Sequence, residues 1–329
     1  ASHVTSRGLT SEGVRSTPVR VTGGEGNLIE DCVIRNSGGD AMSLSDGEGH
    51  GVRGCEIYGV GGGGITLDGG DRESLVPAGH FAENNRIHDY ARWYRMYHAG
   101  VTLRGVGHRV AHNAMYDAQH MAIQFGENDH VMEYNEIYNV CYESNDAGAI
   151  YAGRDWTQRG TVIRYNFMHH VTGFEDRGCV GGYLDDMFCG TRIYGNLFYK
   201  VYRAAFIGGG RDNIYENNLF VDCEKALHID NRAQNWAAYH VETTMTDRLN
   251  AMPFQDAPWK NRYPELLTIL EDEPAAPKGN RIARNVFVGG TWNDVADGAR
   301  EYVSFEDNLM DVDAEFAHPE RIAGGEKLQ

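Results

Sequence analysis

Ile163-Arg-Tyr-Asn166-Phe-Met168 is one copy of a short phrase that runs through this chain: apolar, two polar residues, Asn or Cys, any residue, apolar. Earlier copies read Ile29-Glu-Asp-Cys32-Val-Ile34, Val52-Arg-Gly-Cys55-Glu-Ile57 and Phe81-Ala-Glu-Asn-Asn85-Arg-Ile87. Others run Val110 to Met115, Val131 to Ile137, Ile193 to Phe198, Ile214 to Phe220, Ile282 to Phe287 and Phe305 to Met310. The marks Cys32, Cys55, Asn85, Asn113, Asn135, Asn166, Asn196, Asn218, Asn285 and Asn308 are spaced by 23, 30, 28, 22, 31, 30, 22, 67 and 23 residues. A helix-pair repeat would carry 3.6-residue periodicity between marks, and none is present.

A second phrase follows each mark by about a dozen residues. It reads Met42-Ser-Leu-Ser45, Ile65-Thr-Leu-Asp68, Val101-Thr-Leu-Arg104, Ile123-Gln-Phe-Gly126, Ile150-Tyr-Ala-Gly153, Gly182-Tyr-Leu-Asp185, Ala205-Phe-Ile-Gly208 and Leu227-His-Ile-Asp230. The alternation is that of strands with one face inward. Stacked coil on coil, these strands make a parallel sheet, and the Asn marks make a ladder of amides bonded to their copies above and below. The fold predicted is all-β, a right-handed parallel β-helix of about nine coils, with residues 1–329 as a single domain. Within the 67-residue gap, Thr246 to Met252 and Tyr263 to Leu270 have helical spacing, and five prolines punctuate. Gln234 to Lys278 is therefore read as a helical insertion that either walls a groove or caps an edge. The early coils show no cap over their β-edge, so the parent protein is expected to extend upstream of Ala1.

The chain has 329 residues, with 30 basic against 47 acidic side chains and a net charge of −17. No Lys/Arg block is present and only Lys200, Lys225, Lys260, Lys278 and Lys327 are lysines, which argues against nucleic acid or an anionic membrane as partner. No apolar run reaches the length of a membrane span. Six cysteines without a C-x-x-C exclude a structural zinc ribbon, and Cys32 and Cys55 at ladder positions should be buried and inert. The 41 glycines suit a fold with a tight turn at every step. No phosphate loop or Gly-x-Ser-x-Gly elbow occurs.

The outward positions of the strand phrase carry the chemistry. The second gives Ser43, Thr66, Thr102, Gln124, Tyr151, Tyr183, Phe206 and His228; the fourth gives Ser45, Asp68, Arg104, Gly126, Gly153, Asp185, Gly208 and Asp230. Aromatics beside glycines suit a groove in which sugar rings stack and the backbone approaches closely; the alternative is aromatics that stack on each other. Asp146 lies just before one strand phrase, and Asp185 and Asp186 lie one coil on, a separation that suits the two carboxylates of a glycosidase. Asp185 is expected in the groove and Asp186 at the strand end. His98 and His120 share an offset and should stack on neighbouring coils beside Asp146. Arg154, Arg177 and Arg211 are candidates to clamp a carboxylate or hydroxyl pair, and Glu127 to accept sugar hydrogen bonds.

Asn145-Asp-Ala-Gly-Ala-Ile-Tyr151, followed one coil on by Gly182-Tyr-Leu-Asp-Asp186, resembles the β-helix proteins of glycoside hydrolase family 141 over most of the chain from about Gly23 to Asn308. That resemblance implies a hydrolase of plant or algal polysaccharide, since the family's activities are an α-L-fucosidase on pectic side chains and a xylanase. It also implies a catalytic pair of aspartates about one coil apart, here Asp146 and either Asp185 or Asp186.

Three readings follow. The first is a glycosidase without cofactor, with Asp146 and Asp185 as acid and base or nucleophile and a polysaccharide or oligosaccharide as partner. The second is a lyase or epimerase using calcium on Asp185, Asp186 and Asp68, with Arg154 or Arg177 as cation. The third is a non-catalytic carbohydrate-binding scaffold. The start, Ala1-Ser-His3, shows no leader, and a secreted or periplasmic place is the expectation that goes with a polysaccharide substrate.

Overall fold

The computed structural model describes residues 1–310; residues 311–329, with Lys327 and the end of the predicted domain, lie outside the described residues. Three parallel sheets run the length of the molecule, two of eleven strands and one of ten. Each coil contributes one short strand to each sheet in turn. Coil 1 supplies Thr5–Arg7, Thr10–Glu12 and Val19–Thr22; coil 2 supplies Leu28–Glu30, Val33–Arg35 and Met42–Ser45. Every strand pairs in parallel with its copy one coil on, which is the predicted right-handed parallel β-helix. The described residues make eleven coils rather than about nine. Leu9 stands where later coils carry Cys or Asn, so the first coil has no recognisable mark.

A left-handed residue just before each mark turns the chain from the first sheet to the second, as at Asp31 (φ 53°), Gly54 (φ 65°) and Asn84 (φ 55°). Glycine, Asn and Asp, which tolerate that conformation, hold six of the ten positions, and His112, Tyr134, Tyr165 and Arg284 hold the other four. The mark then points inward. Asn166 Oδ1 accepts both the backbone N–H of Asn135 (3.0 Å) and its side-chain amide (2.9 Å), and Asn166 Nδ2 donates to Asn196 Oδ1 at 3.0 Å. The same bonds join every mark from Asn85 to Asn308. All six cysteines are free and buried, and burial pushes the thiols of Cys55 and Cys223 up to about 11 and about 12.

A second ladder precedes the strands of the first sheet. It reads Asn27, His50, His80, His108, His130, Thr161, Thr191, Asn213 and Asn280, and its four imidazoles stack at 4.9, 5.1 and 5.2 Å. His130 Nδ1 accepts the His108 N–H at 3.1 Å while its Nε2 donates to the Gly126 carbonyl at 2.7 Å, so the ring is neutral with its proton on Nε2. Burial pushes His80 and His130 down to about 4 and His108 to about 3.

Between coils 9 and 10 the chain leaves the solenoid after Lys225–Asp230 and returns at Asn280–Ala283. The excursion carries short helical turns at Arg232–Gln234, Val241–Met245, Thr246–Asn250, Trp259–Arg262 and Pro264–Thr268. Its apolar side buries Val241, Met245, Leu249, Trp259 and Leu266 against Trp156, Met187 and Cys189 of the solenoid. Trp259 Nε1 donates to the carbonyls of Arg72 (3.1 Å) and Glu73 (3.0 Å), so the excursion runs back along the corner after the third sheet as far as coil 3. It thereby walls one side of that sheet's outer face.

Two outcomes are expected. Asn166→Ala leaves the Asn135 amides without acceptors and should lower stability by about 3 kcal/mol in urea unfolding. The unfolded histidines take up protons near 6.5, whereas the stacked ones resist until about 4 or below. Between those values the unfolded chain binds more protons, so stability falls as pH drops. His108→Asn, an Asn213-like rung, should flatten that acid slope in melts taken from pH 7 to pH 4.

Candidate active site

The outer face of the third sheet across coils 6 to 9 brings the site together. Gly148–Gly153, Val180–Asp185, Arg203–Gly208 and Lys225–Asp230 lie side by side, with Tyr151, Tyr183, Phe206 and His228 in one row and Gly153, Asp185, Gly208 and Asp230 in the next. Asp185 is 8 % exposed. Tyr151 donates its phenol proton to Asp185 Oδ2 at 3.0 Å, and Arg232 Nη1 donates to Asp185 Oδ1 at 2.5 Å. Tyr183, on the same strand as Asp185, donates to Asp146 Oδ1 on the preceding coil at 3.2 Å. Asp146 itself is exposed.

Asp186 sits in a turn with φ 39°, a left-handed conformation uncommon away from glycine. It is clamped by Arg154, itself left-handed at φ 64°, and by Arg232 Nη1 at 3.1 Å. Arg248 donates to the Arg154 carbonyl.

Arg232 is the hub, and nothing in the repeat pattern announces it. At the first turn of the excursion, 7 % exposed, it also binds Asp230 through Nε and Nη2 at 3.0 and 2.8 Å. Its guanidinium lies between the rings of Phe206 (5.1 Å) and Trp236 (5.4 Å). Glycine makes the space: a Cβ on Gly208 would stand 2.7 Å from Arg232 Cζ, and one on Gly209 2.9 Å from its Cγ. The available signal was Asp230-Asn-Arg232 directly after a coil whose outward position is glycine.

Burial pushes the Asp185 carboxyl above the ordinary aspartate range, helped by the charge of Asp186 and opposed by Arg232 and the two phenols. Tyr151 and Tyr183 are both driven well up by burial and by Asp185, so they keep their protons. Burial lowers His120, and Asp146 opposes it. Burial likewise lowers His240, which stands in the field of Arg154 and Asp186.

Several expected residues are placed differently. Tyr183 and Phe206, 4 % exposed each, stack on one another at 4.6 Å under Arg232, so they are packing and not an open platform. The exposed aromatics around the site are Trp236, Tyr239 and Tyr97. His98 does not stack on His120: it pairs with Asp40 at 3.3 Å, and the ring against His120 is Tyr97 at 5.2 Å. Glu127 accepts the Gly105 N–H at a corner. Arg177 pairs with Glu175 at 2.6 Å on an exposed turn, Arg211 with Asp272 at 2.6 Å, and His228 with Asp294 at 2.9 Å. Asp68 belongs to coil 3, four coil rises or ~19 Å from Asp185. Asp185, Asp186 and Asp230 converge on the Arg232 guanidinium, which fills the place a calcium ion shared among them would take. Among the described residues no group of three or more His, Cys, Asp or Glu is arranged to hold a metal.

A family model agrees with the fold. The family described as right handed beta helix region matches residues 1–92. No curated protein matches. Among solved structures, the chain is similar to a GH136 lacto-N-biosidase from Eubacterium ramulus (13 % identity, TM-score 0.47, covering 92 % of this chain and 51 % of that one). It is also similar to a mannuronic acid specific polysaccharide family 6 lyase from human gut microbiota (14 % identity, TM-score 0.48, covering 94 % and 78 %). The chain thus spans about half the length of the lacto-N-biosidase.

Arg232→Met leaves three carboxylates facing one another and should cost about 3–5 kcal/mol in urea unfolding, with Arg232→Lys recovering only part because an ammonium cannot fork. Gly208→Ala should act in the same direction by displacing the guanidinium.

Proposed function

We propose that this chain is a carbohydrate-active enzyme, a glycoside hydrolase in which Asp185 is the general acid and Asp146 the base or nucleophile. One observation carries the reading: two carboxylates on adjacent coils stand in opposite environments, Asp185 buried with raised proton affinity and Asp146, held by the Tyr183 hydroxyl, open to water. Glycoside cleavage needs that pairing, one carboxyl holding its proton for the departing oxygen and one carboxylate free to activate water or attack the anomeric carbon. Tyr151 and Arg232 fix the Asp185 rotamer from two sides. Arg154 and Arg232 hold Asp186, whose charge raises the proton affinity of Asp185. The exposed faces of Tyr97 and Trp236 flank the pair and offer sugar-stacking surface. The resemblance to glycoside hydrolase family 141 accords with this reading, and a plant or algal polysaccharide is the substrate class it favours. A secreted or periplasmic place belongs to the same proposal; among the described residues no helix is long and apolar enough to cross a membrane.

The lyase alternative asks for a cation free to neutralise a uronate and a deprotonated base beside it. Arg232 is committed to three carboxylates, and the phenols of Tyr151 and Tyr183 retain their protons.

The test is hydrolysis of a panel of plant and algal polysaccharides, read both as reducing ends and as ultraviolet absorbance. Reducing ends without absorbance, unaffected by chelator, are expected. Asp185→Asn should lower kcat by roughly 10²–10⁴-fold, the scale of a lost general acid. The alkaline limb of kcat/KM, set by loss of the Asp185 proton, should lie above the ordinary aspartate value of about 3.9. Chelator-sensitive absorbance would instead establish a lyase. Sugar binding without turnover, indifferent to Asp146→Asn, would establish a scaffold.

A further inference from the structure

The segment Arg92-Trp-Tyr-Arg-Met-Tyr97 of coil 4 exposes large aromatic side chains that a soluble surface has no folding reason to show. Trp93 is 70 % and Tyr97 61 % exposed, and Tyr94 is exposed between them. The segment is nonetheless pinned. The backbone N–H groups of Ala91, Arg92, Trp93 and Tyr94 donate to the carbonyls of Gly62, Val60 and Gly61, and the Tyr97 N–H donates to His120 Nδ1 at 3.4 Å. Arg95 pairs with Glu143 of coil 6. The backbone that carries the aromatics is thus held in place, which lowers the ordering cost of binding.

Beneath Trp93 lies a hollow of about 380 Å³ floored by Gly38, Gly59 and Gly61, with Arg15 and Arg92 at its rim. A Cβ on Gly38 would stand 2.2 Å from the Arg15 carbonyl oxygen and 3.4 Å from the Trp93 ring, so glycine lets the Arg15 turn pack closely there beside the indole. Among the described residues no carboxylate lines the hollow and neither Arg15 nor Arg92 forms an ion pair. At the site described above, by contrast, Arg154 and Arg232 are matched to acids. The nearby acids Asp40 and Glu12 are paired with His98 and Arg35, while the lining itself carries the charges of Arg15 and Arg92. From Gly38 on coil 2 to Asp146 on coil 6 the distance is four coil rises, ~19 Å, the length of several sugar units. Tyr97, against His120 on coil 5, bridges the interval.

We infer that Trp93, Arg92 and Arg15 form a remote subsite for an acidic sugar of a polysaccharide laid along the solenoid axis toward Asp146 and Asp185. This deepens the proposed function, on which it rests for the identity of the cleaved end. A pyranose face stacks on the indole, the glycine floor lets the ring approach backbone, and the guanidinium groups take its carboxylate.

The experiment is affinity gel electrophoresis of the Asp185→Asn protein, which binds without turnover, through gels containing polygalacturonate, alginate or neutral xylan. Retardation by at least one of the acidic chains and not by xylan is expected. Its dissociation constant should rise at least tenfold in the added Trp93→Ala variant and severalfold in Arg92→Gln. Both side chains are exposed, and unchanged melting curves would confirm folded variants. Equal retardation of Trp93→Ala, equal retardation by xylan, or no retardation by either acidic chain would overturn the inference. Failure of the hydrolase reading is separate: it appears as absent turnover in the wild type while this binding persists.

Discussion

Every coil must lie on the next in register, because its inward amides have no water and only a copy of themselves as partner. The Asn ladder makes that constraint concrete: each side-chain carbonyl takes two donors from the coil before, so a slip of one residue orphans both and turns the strands inside out. The constraint survives a 67-residue interruption, since Asn218 still meets Asn285 at 3.0 Å. An insertion of that length is tolerated because the cost of closing a loop grows slowly with its length, while register is enforced locally on each side. The excursion is then free to fold back along the solenoid and deliver Arg232 to a face it could not otherwise reach.

Fixed register turns single residues into columns, and the site is a place where columns of opposite character meet. Glycine at one outward position of coils 6 and 8 leaves Asp185 on coil 7 flanked by empty space, and Arg232 lies down in the gap over Gly208. Asp185, Asp186 and Asp230 then share the buried Arg232, with Arg154 and the exposed Asp146 at the edge of the patch. Such a cluster is poor evidence for stability, since desolvation offsets much of the attraction. What it does is raise the proton affinity of Asp185, through burial and the charge of Asp186, on the coil next to an exposed Asp146.

The repeat was legible because an inward Asn or Cys is conspicuous among short apolar strands. The first coil escaped because Leu9 carries no such signal, and the histidine ladder because imidazole, threonine and asparagine share its rungs without a common letter. Of the candidate site, Asp146, Asp185, Asp186, Tyr151 and Arg154 could be placed near one another from column arithmetic alone. Arg232 could not, because it arrives from outside the repeat. Column arithmetic also gives direction without exposure: Tyr183 and Phe206 do point outward, yet the inserted arginine covers them. Glu127, Arg177 and His98 sit at corners and turns, where the period-two rule has no hold and local partners decide orientation.

The central claim is that Asp185 keeps its proton where an ordinary aspartate has lost it. Carbon-13 NMR titration of the aspartate carboxyls, with the Asp185 resonance assigned by its disappearance in Asp185→Asn, reads this without reference to any substrate. An inflection clearly above the ordinary value of about 3.9 is the predicted result. An inflection at or below that value would contradict the account, because Arg232 and the phenols would then outweigh burial and leave no acid at the site.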